Sequence, residues 1–176
     1  MERKAAIMDA SQVQRSMARI AHEIVEKNNG AERICLLGIR RRGIPLADML
    51  AKNIEKFEGV RVPVGHVDVT LYRDDLTETG AQATTTGSCI PCPVEEYTIV
   101  LVDDVLFTGR TVRAAIEAVV RHGRPQSIQL AVLVDRGHRE LPIRPDYVGK
   151  NVPTAREEIV DVHMTQIDGD TGVYLI

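Results

Sequence analysis

The sequence predicts an α/β protein with a mostly parallel central sheet and helices on both faces. Three observations carry this. Aromatic residues are 3% and tryptophan is absent while hydrophobic residues reach 44%, so the core must come from Val, Ile, Leu and Ala, which suit a buried parallel sheet. Short continuous apolar runs alternate with stretches of helical periodicity. A charged turn follows three of the runs: "RRRG", "DDVLFTGRT" and "DRGHRE". In a sheet wound this way such turns gather beyond the carboxyl ends of the strands, where ligands bind.

The 176 residues fit one domain, and neither a repeat nor a linker divides them. Residues 11 to 28 read as an amphipathic helix capped near Asp9 or Ser11. Val13, Met17, Ile20 and Ile24 recur at helical spacing and define its buried face, while Arg15, Arg19 and His22 recur near the opposite side. The strand "RICLLGI" runs into the basic turn Arg40 to Gly43, and "IPLADMLAKNIEKFEG" follows as a helix. A second strand lies in "VPVGHVDVTLYRDD". The small, polar stretch from Asp74 to about Pro93 is disordered or a functional lid, placed at about 71–90. Strand "YTIVLV" and helix "TVRAAIEAVVRHG" form a further βα unit, and "SIQLAVLVDRG" another strand. The last third reads as irregular until a strand near Glu158 to Val162.

The formal charge of −3 argues against a general polyanion binder but leaves room for a local basic face. No apolar run approaches the roughly 20 residues that span a bilayer, and the N-terminus has no apolar core of a signal peptide, so a cytoplasmic protein without membrane contact is expected. Cys35, Cys89 and Cys92 make no disulfide framework. Cys89 and Cys92 have C-x-x-C spacing, but neither a second ligand pair nor a helix N-terminus accompanies them. Cys35 reads as core.

The most informative stretch is residues 99–111, "IVLVDDVLFTGRT". Gly109 permits a turn that a side chain would obstruct, freeing backbone N–H groups. Those donors, with the hydroxyls of Thr108 and Thr111, stand where a helix begins and its partial positive charge favours phosphate. Asp103 and Asp104 repel phosphate; they accept hydrogen bonds from vicinal hydroxyls or coordinate Mg²⁺. A ribose 5-phosphate satisfies both halves. No P-loop and no dinucleotide fingerprint is present.

This stretch closely resembles the thirteen-residue motif with which type I phosphoribosyltransferases bind 5-phosphoribosyl 1-pyrophosphate (PRPP). With "RIAHEI", "RRRG", "DVTLYRDDLT" and especially "VDRGHRELPIRPDYVGKN", the chain resembles, from about Ile7 to Val162, the bifunctional regulators that attenuate pyrimidine operons. The resemblance implies a type I phosphoribosyltransferase fold with a flexible lid and a small hood at about 136–176. It implies the reaction of uracil with PRPP to give UMP and diphosphate, with Mg²⁺ carried by PRPP rather than by protein ligands. Asp103 and Asp104 then take the ribose hydroxyls, and Leu106, Phe107, Thr108, Gly109, Arg110 and Thr111 cradle the 5-phosphate, with Val105 joining the two groups. Arg40 and Arg41 grip the pyrophosphate, Arg73 closes over it from the lid, and Arg136 with the main chain at Val160 borders the uracil.

The same resemblance implies that Arg15, Arg19 and His22, with His138, Arg139 and Arg144, bind a stem-loop of pyrimidine-operon leader mRNA. Uridine nucleotides (UMP or UTP) favour that binding and so promote transcription termination, and the protein acts as a homodimer or higher homo-oligomer. Two departures stand out. Ala18 occupies a position where such regulators commonly carry threonine, and Arg41 another. An RNA-binding nucleotide sensor with vestigial catalysis, and a salvage enzyme without an RNA role, remain alternatives. No residue selects uracil over a purine on chemistry alone.

Overall fold

The structure, a computed structural model, describes residues 2–70 and 87–176. Arg73 and all but the end of the expected lid lie outside the described residues.

Helix α1 spans Ala10–Lys27, and Asp9 is its cap: the Asp9 carboxylate accepts from the Gln12 N–H while the Gln12 side chain accepts from the Asp9 N–H, each at 2.8 Å. Val13, Met17, Ile20 and Ile24 are all buried, as their spacing requires. Strand β2 (Ile34–Ile39) follows, then α2 (Gly43–Glu58), β3 (Val64–Val67), β4 (Thr98–Leu106), α3 (Arg110–Val120), β5 (Ser127–Asp135) and β6 (Tyr147–Asn151). These five strands form one parallel sheet in the order β3-β2-β4-β5-β6.

Every residue of β2 is buried, because both faces of the sheet are covered. Ile34 and Leu36 pack into a cluster with α1 and α2, whereas Cys35, Leu37 and Ile39 pack with Val112, Ala115 and Val119 of α3. That two-sided burial explains why the central strands read as continuous apolar runs. Cys35 is core, and burial beside the Cys92 thiol pushes its own thiol far above the ordinary range.

Two features depart from the sequence reading. Strand β6 lies in the stretch expected to be irregular; it is an edge strand of the sequence YVGKN with one fully buried residue, so it carries almost no apolar signal. The hood is a separate antiparallel sheet in the order β1-β8-β7, built from β1 (Ala5–Met8), β7 (Val160–His163) and β8 (Gly172–Leu175), with the short helix α4 (Thr165–Asp168) between β7 and β8. Met8, Val160, Val162 and Val173 join the α1–α2 cluster, so the hood shares the core of the main sheet.

Candidate functional site

The strand order reverses between β2 and β4: β2 leads to β3 on one side, and β4 leads to β5 and β6 on the other. The carboxyl ends of β2 and β4 therefore flank the switch point, the crevice in which such sheets bind ligands. The Arg40–Gly43 turn and the two acids stand there. Gly43 brings them together, since a Cβ there would collide with the Val102 carbonyl one residue before Asp103.

Both acids lie inside β4, which runs four residues beyond the apolar stretch. Asp103 is 7% exposed and Asp104 half-buried. Strand alternation sets them on opposite faces. Asp103 has the parity of Ile99 and Leu101 and lines the cleft in front of α3, whereas Asp104 faces the hood side, near Arg42. Each carboxylate accepts from the next residue's N–H, Asp103 from Asp104 at 2.9 Å and Asp104 from Val105 at 2.8 Å.

The loop that follows is shaped from behind. The carbonyls of Leu106, Phe107 and Thr108 accept bonds from the Arg136 N–H (3.1 Å), the Arg139 guanidinium (2.9 Å) and the Glu140 N–H (2.9 Å). In a trans peptide the carbonyl and the next N–H point oppositely, so the N–H groups of Phe107, Thr108 and Gly109 turn away from this support, toward the cleft. Gly109 sits at φ 93° as the N-cap of α3, and the Thr108 hydroxyl accepts from the Arg110 N–H at 3.3 Å. The cleft has a volume of about 470 Å³ and is lined by Asp103, Val105–Val112, Glu140 and Arg156. A row of donors at a helix N-terminus beside the Asp103 carboxylate suits a phosphorylated sugar with free hydroxyls. At its rim Glu140 bridges Arg110 and Arg156 at 2.8 Å each, and the Arg110 bond, then the Arg156 bond, hold its carboxyl below the usual range.

The three arginines of the turn diverge. Arg40 leans toward Asp68, just beyond β3, at 3.6 Å; Arg41 is exposed; Arg42 reaches the hood and forms a two-pronged pair with Asp168. Arg136 is buried and its guanidinium lies 4.1 Å from the centre of the Phe107 ring. It donates to Thr154 and to the carbonyls of Ala155 and Arg156, so it pins the segment leading to the hood against the cradle. Val160 opens β7 and is buried.

The expected nucleic-acid residues fall in two places. Arg15 and Arg19 line a second hollow of about 320 Å³ together with Gln12 and Lys150, and Arg19 donates to the Gly149 carbonyl at 2.7 Å. Lys150 escaped notice because β6 did. His22 stacks on Phe57 with ring centres 3.7 Å apart, and Arg144 is exposed in the loop entering β6. His138 and Arg139 instead sit behind the cradle. The His138 ring bonds the Thr154 carbonyl at 2.7 Å, and Arg139 pairs with Asp135 at 2.6 Å and donates to Ile143 and Phe107. Arg139→Gln therefore destabilises the fold by about 2 kcal/mol, from the loss of charge-assisted bonds in a half-buried setting. Denaturant unfolding reads this, and a variant as stable as the parent would show these bonds to be idle.

Comparison with known proteins adds three findings. A family model described as "Phosphoribosyl transferase domain" matches residues 5–167. Among curated relatives, "Bifunctional protein PyrR" of Clostridium novyi is 59% identical over 98% of this chain and 97% of its own length, and the protein of the same name from Caldicellulosiruptor bescii is 58% identical over 99% and 96%. Among solved structures, a hypoxanthine phosphoribosyltransferase of Trypanosoma cruzi superposes with a TM-score of 0.77 at 19% identity, covering 99% of this chain and 95% of that one. A hypoxanthine-guanine phosphoribosyltransferase of Bacillus anthracis gives 0.72 at 18%, covering 99% of each. At such identity these two share the fold.

Proposed function

The chain belongs to the phosphoribosyl transferase family, and from that premise we propose that it converts uracil and PRPP to UMP and diphosphate. We propose further that it binds the leader mRNA of a pyrimidine operon, more tightly with uridine nucleotide in its site, and thereby promotes transcription termination. A cytoplasmic homo-oligomer is part of the same proposal; among the described residues no helix is long and apolar enough to cross a membrane. The observation that carries the reading is the loop of residues 106–111 at the start of α3: the carbonyls of Leu106, Phe107 and Thr108 are bound by Arg136, Arg139 and Glu140, and the loop lines the cleft together with Asp103. The full-length likeness to proteins named bifunctional points the same way.

The chemistry follows from these residues. The N–H groups of the loop hold the 5-phosphate, and Asp103 and Asp104 hold the ribose hydroxyls. As the anomeric C–O bond breaks, its electron pair leaves with the diphosphate and positive charge develops on the ribose. Arg40 and Arg41 face the departing anion, while the acids stand beside the cationic sugar. Arg73, outside the described residues, is assigned to cover the pyrophosphate. Uracil N1 bonds to the anomeric carbon from the side bordered by Arg136 and Val160, and its proton leaves to water or to the departing diphosphate. Mg²⁺ is assigned to the diphosphate oxygens, where it would neutralise charge.

For RNA, Arg15, Arg19, His22 and Arg144 are exposed, and Lys150 extends the α1 face. His138 and Arg139 enter this proposal through the loop they stabilise. Arg19, half-exposed, pairs with Glu23 at 3.1 Å and donates to the Gly149 carbonyl at 2.7 Å; Arg19→Gln weakens leader-RNA binding and lowers its salt slope by about 1, as one lost phosphate contact does. Filter binding of a leader stem-loop, with and without UMP, tests the regulatory half. Tighter binding with UMP supports it; equal affinity in both conditions, or none, contradicts it.

A further inference from the structure

The third arginine of the turn, Arg42, takes no part in the chemistry proposed for the cleft. Arg42 is next to the exposed Arg41, yet its side chain turns from the cleft toward the hood. Its Nη2–H donates to Asp168 Oδ1 at 2.9 Å and its Nε–H to Asp168 Oδ2 at 3.3 Å, with side-chain exposures of 31% and 15% for the two residues. Asp168 is fixed in turn, since its Oδ2 accepts from the Met164 N–H at 2.8 Å across α4. Arg42 also lies in the field of Asp104 on β4 and Asp161 on β7. The bond to Asp168, then these two carboxylates, strengthens the hold of Arg42 on its proton, and Asp168 is correspondingly held below the usual carboxylate range.

Resting on the reading of the site as a PRPP site, we propose that Arg42 is a positioning residue for the transfer. By joining the Arg40–Gly43 turn to the hood at Asp168, with its charge acting on Asp104 at longer range, it fixes the pyrophosphate grip and the wall of the base site relative to one another and steadies one ribose acid. Three reasons converge. The turn, β4 and the hood belong to three separate parts of the chain, and Arg42 of the turn bonds the hood directly and acts on β4 through its charge. Its planar fork matches a carboxylate at two points, so it sets an orientation as well as a distance, which an ammonium does not. The guanidinium bonds Asp168 directly and acts on Asp104 and Asp161 only at longer range. Without it the like charges of Asp104, Asp161 and Asp168 go unoffset, and Asp104 is the one of the three assigned to the ribose. Asp161 is further tied to His163 at 2.9 Å, and His163 to Asp170 at 2.7 Å, so the hood side of this cluster is braced, while Asp104 is held by the Val105 N–H at 2.8 Å.

The test measures PRPP affinity by titration calorimetry, with Mg²⁺ present, alongside kcat and KM for UMP synthesis in the parent, Arg42→Gln and Arg42→Lys, well below their melting temperatures. Arg42→Gln is expected to weaken PRPP binding tenfold or more and to lower kcat. Arg42→Lys, which keeps the charge among the carboxylates but loses the fork, is expected to recover most of kcat while PRPP affinity stays reduced. That division is beyond a residue that only supports the fold, whose loss lowers the active fraction and leaves affinity unchanged. Variants with lower melting temperatures but PRPP affinity and kcat within twofold of the parent would overturn the inference. A parent that binds no PRPP would overturn both it and the reading of the site. A parent that binds PRPP without turning over uracil would refute that reading's reaction, while the affinities alone still decide the role of Arg42.

Discussion

Replaced together by asparagine, Asp103 and Asp104 lower the rate of UMP formation roughly 10³-fold, the scale on which removal of a well-placed electrostatic group acts, and leave the fold in place. The expectation has two halves. Asparagine keeps a side-chain oxygen, so it still accepts the N–H bonds that Asp104 and Val105 make at 2.9 and 2.8 Å. It discards the negative charge, and with it the attraction to a ribose that becomes cationic as diphosphate leaves. Asp103, 7% exposed, does more of this work per charge than a solvated group would, because little water screens it. Initial rates with circular dichroism of the same samples read both halves. A folded variant with parental turnover shows that the acids do not face the sugar.

Gly109→Val is the second large effect, about 10²-fold in kcat/KM, on the scale of a misplaced binding group. The backbone is at φ 93°, where a β-branched residue is strained by about 1–3 kcal/mol. A Cβ also lands 3.3 Å from Ile143 Cδ1, against the loop that supports the cradle. The loop must shift, and its N–H groups lose their common aim. Because those donors hold the phosphate end, the loss should appear in KM for PRPP while KM for uracil changes little. Equal changes in both constants would place the phosphate elsewhere.

How far the sequence revealed this site depended on how local each signal was. The cradle was legible because its parts are consecutive: acids, glycine turn, hydroxyls and helix start fall within thirteen residues, and each has a chemistry of its own. The parallel sheet was legible because β2, β4 and β5 are buried on both faces and hence continuously apolar. Strand β6 was not, since an edge strand needs few apolar residues, and Lys150 was lost with it. The hood was half-legible: β7 carries a strand signal, but its sheet is completed by β1, more than 150 residues away, and pairing over such separation leaves no periodicity to read. The division of labour within "RRRG" was hidden for a related reason. Three identical side chains in a row look alike in sequence, and only the positions of Asp68 and Asp168 send them in different directions. Likewise His138 and Arg139 look like surface cations, and only the carbonyls of Thr154 and Phe107 show them half-buried and engaged behind the cradle.

The most direct measurement is the rate of nucleotide formation from PRPP and Mg²⁺ with uracil, run beside hypoxanthine, guanine and orotate. The account predicts UMP from uracil and no product from the other three. A purine nucleotide, or no product from any base, would contradict it.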